Sequence, residues 1–247
     1  MKIIGVIPAR YKSSRFMGKP LALIKDKPMV WWVYRQAKQV EAFEDVYVAT
    51  DNDQIYKTCV KYGINVLMTS ENCVTGTDRI GEVAGKIDAD LYVNIQGDEP
   101  LIEPATIETV IKYAKMHPDI QVINTMTKII DDNDIADDSV VKVVATDDDD
   151  LIYLSRSSIP YPKKGQKIQY YRHLGLYGIT KEALKFFANA ERTSNEKIED
   201  IEMLRFLENG YKIKILKVES TTIGVDRPED IEKVEKLLTQ HMNNDKN

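Results

Sequence analysis

Ile4-Gly-Val-Ile-Pro-Ala-Arg-Tyr-Lys-Ser-Ser-Arg-Phe-Met-Gly-Lys-Pro20 is the stretch on which the reading of this chain turns. An apolar strand, residues 2–8, runs straight into a loop carrying Arg10, Lys12, Arg15 and Lys19. Such a strand anchors the loop at the carboxyl edge of a sheet, where open α/β proteins bind their ligands. Ser13, Ser14 and Gly18 allow backbone amides to approach an anion closely. A solvated basic loop is the plainer alternative, since exposed charges are usually just surface. The close spacing of the cations favours a phosphate site.

Outward from that strand, apolar runs at 45–50, 65–68, 91–96 and 122–127 read as further strands. Between them, residues 29–40, 53–62, 77–86 and 104–117 repeat apolar positions at helical spacing, and Pro28 and Pro104 suit first turns. This alternation predicts an α/β fold with a doubly wound, mostly parallel sheet. From residue 138 the rhythm changes. Residues 140–145 and 151–156 flank Asp147-Asp-Asp-Asp150 as the arms of a hairpin flank its tip, and the unbroken acidic run lacks the alternating ligands and glycine of a calcium loop. Residues 170–180 and 211–218 read as strands, and 181–189 and 196–208 as helices, the second closed by Gly210. A last helix begins near Pro228, and residues 241–247 are polar enough to fray.

The 247 residues, 43% hydrophobic and 30% charged, suit one globular domain over 1–247 with no evident linker. No apolar run approaches the ~20 residues of a membrane span. Lys2 is followed by too short an apolar stretch for a secretory signal, so a cytoplasmic address is expected. Cys59 and Cys73 are expected to be reduced, and no Cys or His falls at metal-site spacing. A net charge of −5 argues against a nucleic-acid partner, which needs an extended basic face. The expected anion is small.

Asn94-Ile-Gln-Gly-Asp-Glu-Pro100 ends a strand that should be central in the sheet, so Asp98 would project from the same edge as the basic loop. A carboxylate facing phosphates makes sense with a cation between them, and hard oxygen ligands suit Mg2+. A simple turn is the plain alternative. Ile223-Gly-Val-Asp-Arg-Pro-Glu-Asp230 offers a second acid, Asp226, able to reach that cleft or to cap the final helix. Thr75-Gly-Thr-Asp-Arg79 has small residues that admit a base or ribose, although Thr77 equally suits a helix cap. Arg156 and His173 lie on expected strands, where an acidic sugar could meet a cation or donor. A lone histidine among apolar residues is more often structural.

Taken together, Ile-Pro-Ala-Arg-Tyr-x-Ser-x-Arg followed by Gly-Lys-Pro, Thr-Gly-Thr-Asp-Arg, Gln-Gly-Asp-Glu-Pro, Arg-His-Leu-Gly-x-Tyr-Gly and Gly-Val-Asp-x-Pro-Glu-Asp resemble, in order, segments of the 3-deoxy-manno-octulosonate cytidylyltransferases of bacterial envelope sugar metabolism. The resemblance implies transfer of CMP from CTP to an acidic 3-deoxy sugar, with pyrophosphate released. It implies Asp98 and Asp226 as Mg2+ ligands, with Arg10 and Lys19 beside them as catalytic groups. It carries Ala9, Arg10, Ser13, Arg15, Lys19, Thr75, Gly76, Thr77, Arg79 and Gln96 over as nucleotide-binding. Gln96, Arg156, His173, Tyr177, Glu202 and Met203 carry over to the sugar. A homodimer through a smaller β-rich region at about 150–190 is also implied.

Three departures matter. Met203 stands where the family has a glutamine in Glu-x-Leu-Glu-Gln-Leu-Arg; a thioether offers only apolar contact and a weak acceptor, so a different sugar at that pocket is expected to be possible. Phe16-Met17 replaces the usual Leu-Pro, and Arg227 replaces a Thr. The alternatives are a modified octulosonate or a nonulosonate such as sialic acid as acceptor and, from another class, a CTP-binding regulator without catalysis. Retention of both metal acids counts against the last.

Overall fold

The computed structural model describes residues 1–13, 15–220 and 224–244, with side chains to residue 240. Ser14, Ile223 and the expected polar tail at 241–247 lie outside this set in whole or in side chain. A mixed sheet runs in the order β11-β7-β10-β6-β1-β4-β5. The strands are β1 (Ile3–Ala9), β4 (Asp45–Thr50), β5 (Val66–Met68), β6 (Leu91–Ile95), β7 (Val122–Lys128), β10 (Tyr171–Thr180) and β11 (Ile213–Lys217). Two more strands, β2 (Leu23–Ile24) and β3 (Lys27–Pro28), form a separate small hairpin after the basic loop.

Successive side chains of a strand point to opposite faces, and here both faces are apolar, as a sheet covered twice requires. Ile3 and Ile7 of β1 join Leu91, Val93 and Ile95 on the face covered by α1 (Met29–Ala37), α2 (Asp53–Lys61) and α4 (Pro104–Met116). Ile4, Val6 and Tyr92 look the other way, toward α3 (Gly76–Lys86), α6 (Lys181–Asn189) and α8 (Met203–Glu208). The doubly wound expectation is therefore borne out. The chain passes from β1 to β4 and β5 on one side, then returns to pair β6 with the opposite edge of β1. That reversal opens a crevice at the carboxyl ends of β1 and β6.

The second half departs from the simple parallel pattern. β10 enters antiparallel between β6 and β7, so these two are not neighbours. β8 (Lys142–Ala145) and β9 (Leu151–Ser155) form the expected hairpin, joined to β10 at Lys142–Arg172. At its tip Asp150 meets Lys212 and Lys214, both at 2.9 Å, and Asp149 meets Lys217 at 2.6 Å, so lysines answer these acids.

The helix expected over 196–208 is two helices, α7 (Ser194–Glu199) and α8, separated by Asp200 at φ 51°. A non-glycine residue in the left-handed region ends the hydrogen-bonded run. Glu199 and Glu202 therefore face different partners: Glu199 binds Ser155 Oγ at 2.6 Å, whereas Glu202 binds the Thr77 amide at 3.0 Å. The last helix, α9 (Asp230–Asn244), starts two residues after Pro228, and α5 (Asn133–Ala136) is one short turn.

Candidate functional site

The crevice contains a cavity of about 540 Å³, lined by the basic loop, the start of α3 and the β10 side chains His173 and Tyr177. It opens into a second cavity of about 1430 Å³ that shares Arg15, Gln96, Asp98, His173 and Tyr177. The close approach of β1 and β6 rests on Gly97, because a Cβ there would stand 2.8 Å from the Pro8 carbonyl oxygen. Gly175 serves similarly, since its missing side chain leaves the space that Gln96 fills.

At the mouth, charges converge on one point. Lys19 Nζ lies 2.7 Å from Asp98 Oδ2 and 3.5 Å from Asp226 Oδ1, and donates to the Val225 carbonyl at 2.8 Å. Arg15 adds a 3.1 Å contact to Asp226. The Val225 amide donates to the Asp98 carbonyl at 2.8 Å, which ties the two acidic segments together although 128 positions separate the two aspartates in sequence. Asp226 thus reaches the cleft, and the Asp230 carboxylate at the start of α9 accepts from the Asp226 and Arg227 amides at 3.1 and 3.0 Å. Arg10 Nη1 donates to the Val74 carbonyl at 2.9 Å, and Ser13 Oγ accepts from Phe16 N at 3.4 Å.

The opposite wall is acidic and partly apolar. Asp78 Oδ2 accepts from the Thr75 amide at 2.8 Å while Thr75 Oγ1 accepts from the Asp78 amide at 3.1 Å, a reciprocal cap of α3. With Glu202 on the Thr77 amide, two carboxylates already complement the positive end of this helix. Phosphate is disfavoured there. Thr75 and Gly76 are the parts of this turn that line the cavity, and they suit a neutral base or ribose.

His173 stacks on Tyr177 with ring centroids 5.4 Å apart, and its Nε2 is buried without a hydrogen-bond partner among the described residues. Burial, helped by the nearby positive charge of Arg172, drives the imidazole down to about 4, so it is neutral at pH 7. Burial also raises the Tyr177 phenol, with the Glu202 charge adding to the effect, and Gln96 hydrogen-bonds this side chain. Glu202 is itself raised by burial, against the pull of the Thr77 amide. Arg156 lines the wall but its Nε and Nη1 are held by the carbonyls of Glu199 and Asp138 at 2.6 and 2.8 Å.

Residues 4–215 match the family described as cytidylyltransferase. A 3-deoxy-manno-octulosonate cytidylyltransferase of Fusobacterium nucleatum is 43% identical over 235 residues, which cover 95% of this chain and 96% of that protein. The chain belongs to the cytidylyltransferase family. Within it, the octulosonate branch inferred from the sequence is borne out. An 8-amino-3,8-dideoxy-manno-octulosonate cytidylyltransferase of Shewanella sp. (strain W3-18-1) is 42% identical over 242 residues, covering 96% of this chain and 99% of that protein. A solved CMP:2-keto-3-deoxy-manno-octonic acid synthetase complexed with CTP superposes with a TM-score of 0.92 at 38% identity, covering 98% of this chain and 100% of that one.

Four of the expected site residues do not line the cavity. Arg79 is fully buried and pairs with Asp51 at 2.8 Å, so its side chain does not line the cleft. Thr77 is also fully buried; its amide serves Glu202. Ala9 is a core residue of β1 opposite Thr50. Met203 is fully buried in the apolar cluster that includes Leu204 and Phe206, away from the sugar wall where its substitution was expected to act. Helical drift explains it: the break at Asp200 turns Glu202 toward α3 and the next residue inward. Arg192 was missed altogether. It lines the cavity beside Asp200, held by Glu196 and Asp200 at 3.1 Å each, and no motif in its neighbourhood marks it.

Proposed function

We propose that the chain transfers CMP from CTP to the anomeric hydroxyl of 3-deoxy-manno-octulosonate, releasing pyrophosphate. The observation that carries this reading is the meeting of Lys19 and Arg15 with Asp98 and Asp226: two cations and two anions that a Mg2+-bound triphosphate replaces with opposite partners. One ammonium reaches both carboxylates, so the acids converge on a single cation position and their hard oxygens fit Mg2+. Among the described residues no group of three or more His, Cys, Asp or Glu could hold a metal, which suits an ion completed by phosphate oxygens and water. Bound there, Mg2+ supplies charge stabilisation at the reacting phosphate.

The protein's own groups do the rest. Released from the acids, Lys19 and Arg15 turn to the triphosphate with Arg10 and offset the charge that grows on the leaving pyrophosphate. Thr75 and Gly76 accommodate the nucleoside. Gln96, His173, Tyr177 and Glu202 orient the sugar so that its anomeric oxygen lines up with the α-phosphorus, opposite the breaking α–β phosphoanhydride bond. A neutral His173 contributes a hydrogen bond rather than a charge. The same reading includes a cytoplasmic address and a homodimer through residues 150–190, supported by the exposed apolar side chains Ile152, Tyr161 and Ile168.

The Shewanella relative, at 42% identity, supports an amino-substituted octulosonate as a second acceptor. Pyrophosphate release across CTP, UTP and ATP with 3-deoxy-manno-octulosonate, its 8-amino analogue and N-acetylneuraminate tests the whole proposal. Turnover is expected with CTP and an octulosonate. Turnover only with the neuraminate moves the acceptor class, and CTP binding without turnover favours a regulator.

A further inference from the structure

One turn of α8 grips one turn of α3. Glu202, just before α8, holds the Thr77 amide, and Arg205, three residues on, donates through Nη1 to Asp78 Oδ1 at 3.0 Å. Arg205 is 3% exposed, and its remaining contacts lie inside the protein. Its Nε and Nη2 bind the two oxygens of the fully buried Glu196 at 2.8 and 2.6 Å, Nη1 also meets the Phe187 carbonyl at 3.1 Å, and the guanidinium sits 3.7 Å from the Phe187 ring centroid. A two-pronged pair of this kind fixes the guanidinium plane.

Asp78 faces both ways. Its Oδ1 takes Arg205 from the interior, and its Oδ2 takes the Thr75 amide at the cleft. The carbonyl of the preceding residue, Val74, accepts Arg10 Nη1 at 2.9 Å. We propose that Arg205 and Asp78 are positioning residues that set the Thr75–Gly76 wall and, through Val74, the guanidinium of Arg10 for the nucleotide; this rests on the CTP reading above. The anchor is the buried body formed by α6 through the Phe187 carbonyl and α7 through Glu196. From it a short chain of hydrogen bonds ends on a cleft cation, and small displacements of such a group are costly in a site that works by alignment.

Two variants isolate the link. Asp78→Asn keeps an oxygen for the Thr75 amide but turns an NH2 against Arg205, breaking the relay while sparing the cap. Arg205→Lys keeps the charge but cannot serve Glu196 and Asp78 together. Each is expected to raise the KM for CTP and the calorimetric Kd for CTP about 5–20-fold and, through the displaced Arg10, to lower kcat as well, with the KM for the sugar within about twofold of the parent. The double variant should be no worse than the poorer single one, because both break the same link.

Folded variants with unaltered CTP binding overturn the relay, as do equal losses for CTP and sugar, or losses that multiply in the double variant. If Arg205→Lys does not fold, Asp78→Asn decides alone. A parent protein that binds no CTP in the same titration overturns the reading of the site and the relay with it. Parent binding with unchanged variants overturns the relay only.

Discussion

Lys19 and Arg79 each end on a carboxylate, at 2.7 Å from Asp98 and 2.8 Å from Asp51, and both belong to segments that match the family. Their surroundings separate them. The basic loop stands at an open crevice, where Lys19 is 15% and Asp98 31% exposed and Arg15 50% and Asp226 41%, so its ion pairs can be traded for ligand at a smaller desolvation cost than a fully buried pair. Arg79 is 0% exposed and Arg205 3%, and their partners cannot be given up without leaving a buried charge uncompensated. Cations that serve a phosphate site must be exchangeable. Cations behind the site hold its wall in place.

The comparison breaks first, if it breaks, at the acids of the mouth. Asp98→Asn and Asp226→Asn should each lower kcat about 10²-fold or more, the scale of a lost transition-state stabiliser, while the melting temperature stays near the parent's. Steady-state kinetics over a Mg2+ series checks this; full activity with unchanged metal dependence removes the metal assignment.

Arg79→Met should show the converse behaviour. Leaving Asp51 without its partner is expected to cost about 2–3 kcal/mol, or about 4–12 °C of melting temperature, with the KM for CTP of the folded enzyme unchanged. A selective rise in that KM returns Arg79 to the nucleotide. Met203→Gln sharpens the contrast further. Burying an amide without partners in this apolar cluster should cost about 1–3 kcal/mol and leave the ranking of acidic sugars untouched, measured as kcat/KM beside thermal stability. An altered ranking at full stability puts Met203 back at the sugar.

The effect at His173 is confined to acidic pH. Its imidazole is lowered from 6.5 to about 4, so between these values the unfolded chain binds more protons than the folded one. Stability therefore falls as pH drops through that window, by about 1 kcal/mol per pH unit from this group. His173→Gln should flatten that limb of the melting temperature against pH. An unchanged slope shows that other groups set it.

How much was legible depends on what each signal reports. Periodicity located β1, β4, β6 and α1 to α4 because their apolar positions alternate or repeat against one sheet. It could not place β10: an antiparallel strand between β6 and β7 is a long-range pairing with no local mark. The break at Asp200 was also silent, since an aspartate in the left-handed region costs little and leaves no glycine to read. At the site, Arg10, Arg15, Lys19, Asp98 and Asp226 were legible as charges near glycine at strand ends, and the structure brings them together. Arg79, Thr77 and Met203 lie behind the cavity lining for one reason. A motif shows which residue types occur together, whereas burial decides which of them turn toward ligand.

The central claim, nucleotidyl transfer at the crevice, is tested most directly by following label from CTP. The enzyme is incubated with 3-deoxy-manno-octulosonate, Mg2+ and CTP carrying ³²P at either the α or the γ phosphorus. The account predicts that α label appears on the sugar as its CMP ester and that γ label appears only in pyrophosphate. Label reaching the sugar from the γ position, or no transfer from the α position while the protein is folded and binds CTP, contradicts it.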